Sequence, residues 1–193
     1  MDNATATMDR ADDVSEPLAP GAGPANVSPA SIDPVRVHGV LDAHILHVRG
    51  TLPTWETADL LTERLSQVIG RERVLASNRL DPAAPTPDEF PIYARGGSGA
   101  FDPGSARMGA DLTSVLDLVH RLLAVYPTVE VSLSGHLTGA TDDVAGARIR
   151  RERRLAVTAY LEFKRVDLRR VHVVDDDGRE LPRIELVVHH LFD

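Results

Sequence analysis

Alternating apolar and polar positions predict several short strands along the chain. The clearest case is Val129–Ser134, where valine and leucine alternate with glutamate and serine, the period of a half-buried strand. The same pattern recurs near both ends of the chain. We predict strands at 35–40, 44–48, 73–80, 91–95 and 129–134, with a closing strand at 183–190.

Apolar residues at helical spacing predict three helices, at 54–69, 110–126 and 147–163. Thr54 is a suitable N-cap for the first, with Glu56 in its first turn, and Gly70 should end it. Pro127 should end the second helix, because proline cannot continue a helix.

The order of these elements predicts an α/β (α+β) protein made of two small sandwich-type modules. The N-terminal module, residues 34–80, is a β-β-α-β unit, and the C-terminal module is residues 91–193. Residues 81–90 form an acidic, proline-rich linker, and residues 1–33 are predicted to be a disordered tail. A unit of ~45 residues is marginal by itself, so the N-terminal module should lean on its neighbour.

Composition excludes several classes of protein. The chain has 193 residues, 42% of them hydrophobic, and contains no cysteine, which excludes disulfides and thiolate metal sites. A net charge of -8 argues against nucleic-acid binding. No apolar run approaches the ~20 residues of a transmembrane helix. The N-terminus lacks a basic region and an apolar core typical of signal peptides, so a cytoplasmic location, another export route and an upstream start all remain open.

The first strands and helix resemble a known module. The pattern ILHVRGTLPTWETADLLTERL, followed by RVLASNRL, resembles the BON domain, a small α/β module of bacterial envelope proteins. In that family a hydrophobic strand, a Gly-Thr pair, a polar turn, a helix and a V-x-N-x-L series recur. Gly50, Thr51, Asn78 and Leu80 occupy the matching positions.

The stretch 129–161 joins a strand, a glycine-marked polar loop and a basic helix. Residues 148–170 contain nine Lys or Arg against three Asp or Glu, a local net charge of +6 in an acidic chain. Helical spacing places Arg153 on the apolar stripe, whereas Arg148, Arg151 and Arg154 can face solvent. A buried guanidinium needs an anionic partner. That partner could be internal, from Asp142 or Asp143, or it could be a ligand carboxylate.

Residues 90–190 resemble the OmpA-like C-terminal domain, the peptidoglycan-binding module of outer-membrane and flagellar-motor proteins. The resemblance rests on FDPGSARM, a long helix, PTVEVSLSGH, a loop, RRLAVTAYL and RRVHVV. It implies a β-α-β-α-β sheet with helices packed on one face. It also implies binding without catalysis, in which an aspartate and a helix arginine hold the diaminopimelate of the stem peptide. The matching residues are Gly135, His136, Ile149, Arg153, Val157, Tyr160 and Leu161.

The chain also departs from this family pattern. Thr138 stands where the family has its aspartate, and Leu137, Gly146 and Arg154 replace a threonine, an asparagine and a small residue. The carboxylate expected to meet the ligand's ammonium is therefore missing, although Asp142 or Asp143 could replace it. The closing strand still carries Arg183 in an R-I-E series. We accordingly predict a ligand site, with no cofactor or metal, from Arg153, Thr138, Asp142, Asp143, His136 and Arg183.

Two functions follow from these features. The first is a non-catalytic protein of the cell envelope or periplasm that binds peptidoglycan. The second is a degenerate OmpA-like scaffold that has lost peptidoglycan and binds a protein partner through its basic helix. An enzymatic alternative would bring His136, Asp142, Asp143 and the pair His189-His190 to a metal. Adjacent histidines on a strand point to opposite faces, however, and no metalloprotease spacing is present, so we predict no enzyme activity.

Overall fold

Seven strands and three helices make up the described part of the chain. The structure is a computed structural model, which describes residues 36–94, 100–134, 144–174 and 184–192. The strands are β1 (His38–Asp42), β2 (Ile45–Leu52), β3 (Val74–Leu80), β4 (Glu89–Ala94), β5 (Glu130–Ser134), β6 (Val171–Val173) and β7 (Glu185–His189). The helices are α1 (Trp55–Ile69), α2 (Ala110–Val125) and α3 (Val144–Phe163).

All seven strands belong to one sheet, in the order β3-β2-β1-β4-β7-β5-β6. Strands β1 and β4 are parallel neighbours, with Gly39 opposite Ile92 and Leu41 opposite Ala94. The strands of the N-terminal and C-terminal modules therefore continue one another, and residues 32–193 form one compact unit. The predicted α/β fold class is confirmed.

The three helices cover one face of this sheet. Helix α1 contacts α2, and α2 contacts α3, so they lie side by side. Strand residues alternate between buried and half-buried, which matches a sheet packed on one face only. The fully buried side chains are almost all aliphatic, and the largest of them are Phe90, Leu46, Leu52, Leu61, Leu65, Ile92, Leu112, Leu116, Leu122, Leu133, Leu161 and Leu186.

The helix ends follow the local sequence signals. The Thr54 hydroxyl accepts a hydrogen bond from the Thr57 N–H at 3.3 Å, which satisfies an amide in the first turn of α1. Gly70 ends the same helix with a φ of 96°, a conformation that favours glycine. Helix α2 ends at Val125, before Pro127. These three predictions are confirmed.

Strand β2 runs to Leu52, beyond the end of the strand predicted at 44–48. The β1 register ends at Arg49, opposite His38, but β3 pairs with the other edge of β2 as far as Leu52, opposite Leu80. Gly50 itself has a φ of 126°, and a Cβ there would lie 2.5 Å from the Arg36 carbonyl oxygen. This glycine therefore permits a close backbone approach inside the strand.

Two further boundaries differ from the sequence prediction. Strand β4 begins at Glu89, inside the segment predicted to be a linker, because the Phe90 side chain is fully buried against the helices. Helix α3 includes Gly146, which the sequence placed in the preceding loop, and this glycine is buried.

Strand direction defines one functional edge of the sheet. Strand β1 is parallel to β4, while β4 and β5 are each antiparallel to β7, so β1, β4 and β5 point the same way. Their carboxyl ends meet at one edge. The loop that follows β4 and the start of α3 lie at this edge, where ligands commonly bind in α/β sheets.

Candidate functional site

Arg153 is the predicted site residue that the structure describes, and it lies on the inner face of α3. The buried residues of this helix are Gly146, Arg153, Val157 and Leu161, spaced by seven, four and four positions. Arg153 has a relative exposure of only 4%. Its neighbours Arg151 and Arg154 are exposed, as are Arg148 and Glu152. The burial predicted from helical spacing is confirmed.

The Arg153 guanidinium is held by the loop that follows β4. Its Nε donates a hydrogen bond to the Ser105 carbonyl at 2.8 Å, and its Nη2 donates a longer one to the Asp102 carbonyl at 3.5 Å. Its Cζ lies 4.9 Å from the centroid of the Phe101 ring, within the range of a cation–π contact. These contacts fix the plane of the guanidinium.

Residues 100–109 form a turn that is held by backbone hydrogen bonds. The Asp102 amide donates to the Arg107 carbonyl at 2.9 Å, and the Ser105 amide donates to the Asp102 carbonyl at 3.1 Å. Gly104 adopts a φ of 66°, which suits the tight turn. The Gly109 amide donates to the Ala100 carbonyl at 2.9 Å and closes the loop just before α2.

The charge of Arg153 is buried without a carboxylate partner among the described residues. Burial lowers the pKa of its guanidinium, and no described carboxylate lies within the 4.0 Å of an ion pair. Carbonyl oxygens orient a guanidinium but do not neutralise it. A guanidinium has five N–H donors, and Arg153 uses two of them, from Nε and Nη2, on acceptors in the described part of the chain.

Asp102 places a carboxylate beside this group. Its backbone carbonyl contacts Arg153, while its side chain, 51% exposed, lies 3.6 Å from the Arg107 Nε. That exposed pair is weak. The Arg153 guanidinium and the Asp102 carboxylate therefore lie at the same loop but form no ion pair with each other.

The other predicted ligand residues, His136, Thr138, Asp142, Asp143 and Arg183, lie outside the described residues. The structure adds three residues that sequence reasoning did not assign to the site: Phe101, Asp102 and Ser105. Their signal was present in FDPGSARM, because an Asp-Pro-Gly-Ser series is typical of a tight turn.

A second polar cluster crosses the helix-free face of the sheet. The Ser132 Oγ lies 2.9 Å from the His189 Nε2, and the His189 Nδ1 lies 3.3 Å from the Glu89 Oε1. Ser132, His189 and Glu89 are thus arranged in the order of a nucleophile, a general base and an acid that orients the base. Ser132 sits within a strand that is paired on both sides, so ladder hydrogen bonds engage the amides around it. Within the described ranges, no group of three His, Cys, Asp or Glu residues could hold a metal ion.

Comparison with protein families and curated proteins gives no match. No protein-family model matches it, and no curated protein is significantly similar to it. In the described ranges no helix is both long and apolar enough to span a membrane. Its function must therefore be argued from the geometry.

Proposed function

We propose that this chain is a non-catalytic, OmpA-like protein of the cell envelope that binds peptidoglycan through the diaminopimelate of the stem peptide. One observation carries the proposal: Arg153 is 4% exposed, held by two carbonyls, and has no described carboxylate partner. A buried cation is costly unless an anion pairs with it. A ligand carboxylate would satisfy it.

The stem peptide supplies suitable chemistry. Diaminopimelate carries carboxylates, one of which sits beside an ammonium on the same carbon atom. Arg153 would bind that carboxylate through Nη1 and Nη2, with the geometry that planar guanidinium groups favour. The ammonium needs an anion, and Thr138 cannot supply one. Asp142, Asp143 or the half-exposed Asp102 would take that role.

The fold supports this proposal. The C-terminal module runs β4, α2, β5, α3, β6, which is the β-α-β-α-β order that the resemblance implies, with helices on one face. Arg153 lies at the sheet edge where the loops after β4 and β5 begin.

The Ser132 cluster fits a structural role within the sheet. Hydrolysis by an activated serine needs hydrogen-bond donors aimed at the developing oxyanion. The ladders on both sides of β5 engage the backbone amides near Ser132. His189 and Glu89 then act as cross-strand partners that stabilise the helix-free face.

Retention on purified sacculi of the diaminopimelate type tests the proposal. Arg153→Gln should weaken binding by roughly tenfold to a hundredfold, because a hydrogen bond to a charged group contributes ~1.5–3 kcal/mol. Arg151→Gln is the matched control: it removes the same charge from an exposed position of the same helix. Circular dichroism should show that both variants keep the native fold.

Three results would contradict this proposal. They are no retention of the wild-type chain, equal loss in Arg153→Gln and Arg151→Gln, and retention that free diaminopimelate does not compete. Equal loss would point to nonspecific attraction between a basic helix and an acidic polymer.

We infer a second candidate function, binding of an acidic protein partner, from the outer face of α3. This face combines exposed arginines, Arg148, Arg151 and Arg154, with the apolar side chains Leu155 and Phe163, which are 58% and 82% exposed. Apolar and basic groups together favour an acidic amphipathic partner.

Charge reversal separates the two functions. Replacing Arg148, Arg151 and Arg154 with glutamate should abolish binding of such a partner. A higher salt concentration should weaken the binding of the partner to the wild-type chain. Sacculus binding through Arg153 should survive the same three substitutions. An interaction indifferent to salt and to charge reversal would contradict the second function.

A further inference from the structure

A pocket lies at the junction of the two modules, separate from Arg153. We call it the junction pocket. It is bounded by the β1–β2 turn, the end of α1, the start of β3 and the middle of α2, and its volume is about 250 Å³. Liquid water occupies ~30 Å³ per molecule, so the pocket has room for a small organic molecule. Its lining residues are Leu41, Ala43, His44, Ile69, Arg73, Ser114, Asp117, Leu118 and Arg121.

The pocket has an apolar floor. Leu41 and Leu118 are 6% and 3% exposed, and Ile69 is partly buried against the core. These side chains come from β1, α2 and α1, so both modules contribute to the floor. An apolar group of a ligand would bury its own surface against these side chains, which belong to well-packed elements.

The rim of the pocket is cationic. Arg73 and Arg121 lie on it with His44, in a chain whose net charge is -8. The described ion pair of Arg73 is with Glu72 at 3.8 Å, and both side chains are exposed, which makes it weak. Two guanidinium groups are therefore available to an incoming anion.

The one acidic residue of the lining is already engaged. The Asp117 Oδ1 accepts hydrogen bonds from the Tyr160 hydroxyl at 2.8 Å and from the Lys164 Nζ at 2.9 Å. Both partners belong to α3 or the residue after it. Asp117 also interacts with the charge of Arg121, but its hydrogen bonds are made to Lys164 and Tyr160, so the pocket keeps an excess of positive charge from Arg73 and Arg121.

We propose that the junction pocket binds a small amphiphilic anion, a carboxylate or phosphate monoester with a short apolar tail. The head group would contact Arg73 and Arg121, and the tail would pack on Leu41, Ile69 and Leu118. Bidentate contact with arginine suits both kinds of head group. A ligand bound there would bridge elements of both modules.

Nuclear magnetic resonance titration of the full chain tests this proposal. The probes are hexanoate, butyl phosphate, inorganic phosphate and butylammonium. Hexanoate or butyl phosphate should shift the backbone amide signals of His44, Arg73, Ser114 and Arg121 in a saturable way. Of these two probes, the one with the lower Kd shows whether the pocket prefers a carboxylate or a phosphate head group.

Matched variants give the expected size of the effect. Arg73→Gln and Arg121→Gln should each weaken binding at least fivefold, whereas Arg71→Gln, an exposed neighbour outside the pocket, should leave it unchanged. Arg153→Gln should also leave it unchanged, because the proposal does not depend on peptidoglycan binding.

Several outcomes would overturn the proposal. Equal binding of inorganic phosphate and butyl phosphate would show that the apolar floor is unused. Equal binding of butylammonium, or binding that both arginine variants leave intact, would show that the cations are unused. Absence of saturable shifts with either amphiphile would show that the pocket does not bind this class of ligand.

Discussion

Two arginines of the C-terminal module, Arg170 and Arg153, differ in their hydrogen bonds. The contacts of Arg170 fit a structural role, and those of Arg153 fit the proposed binding role. Arg170 donates from Nε, Nη1 and Nη2 to the carbonyls of Val129, Leu123 and Tyr126. All three of its nitrogen atoms are used on protein acceptors. Arg153 is more deeply buried, yet its Nη1 bonds no described acceptor. Arg170 therefore joins the end of α2 to β5, whereas the described acceptors leave Nη1 of Arg153 unused, as the proposed ligand role of Arg153 requires.

Replacing Arg170 should cost stability. Arg170→Gln removes the charged donors from carbonyls at the end of α2, and we expect the free energy of unfolding to fall by about 2–3 kcal/mol. The measurement is urea denaturation. Arg169→Gln, at an exposed neighbouring position, should change it by no more than ~0.5 kcal/mol. Similar losses in both variants would show that Arg170 contributes only its charge.

The sequence predicted the burial of Arg153 but not the role of Arg170. Burial of Arg153 could be predicted because it shares a helical stripe with Val157 and Leu161, which is a local pattern. The acceptors of Arg170 lie 41 to 47 positions earlier in the chain. No local periodicity connects residues so far apart.

At the scale of elements, local signals predicted the helices better than the strands. Thr54, Gly70 and Pro127 mark helix ends through their own backbone chemistry. The end of β2 and the start of β4 depend instead on pairing with strands distant in sequence. The sequence therefore predicted a strand at 44–48 that is shorter than β2, and it placed Glu89 in a linker.

The contact between α2 and α3 should depend on pH through Asp117. Burial alone would raise the pKa of Asp117, but hydrogen bonds from Lys164 and Tyr160, with the nearby charges of Lys164 and Arg121, lower it below its ordinary value. A lowered folded-state pKa means that this carboxylate stabilises the fold above the ordinary value of ~3.9. The contribution is lost as the pH falls through the folded-state pKa.

Asp117→Asn should therefore be less stable than the wild type at pH 7, and the difference should shrink below about pH 4. Urea denaturation at several pH values between 7 and 2.5 measures this. Asp88→Asn, at an exposed position before β4, is the control for the loss of one negative charge. A difference that stays constant down to pH 2.5 would mean that the carboxylate charge does not contribute.

At the scale of the whole molecule, side chains tie the two modules together. The Tyr126 hydroxyl, at the end of α2, donates to the Arg64 carbonyl at 3.0 Å and to the Gln67 Oε1 at 2.8 Å. Arg64 lies over the Tyr126 ring and donates to the Leu191 carbonyl near the C-terminus. Helix α1 is thus fixed to parts of the C-terminal module that follow it by more than fifty residues.

The sequence predicted two modules and not the single seven-stranded sheet. Alternation in β1 and β4 shows that each strand has a buried face, but it does not show which strand lies beside it. The parallel pair of Gly39 and Ile92 joins residues 53 positions apart. The expectation that the small N-terminal module leans on its neighbour follows from size alone.

The shared sheet leads to a prediction about cooperativity. Ile92 is 1% exposed and lies in β4 at the seam with β1, so Ile92→Ala should destabilise the protein by about 2–5 kcal/mol. If residues 36–192 unfold as one unit, amide hydrogen exchange in β2 and in β5 should accelerate by the same factor. Leu75→Ala, at a half-exposed position of the edge strand β3, should change neither strand by more than a small factor. Faster exchange in β5 with unchanged protection in β2 would show that the modules unfold separately, despite the continuous hydrogen-bond ladder between β1 and β4.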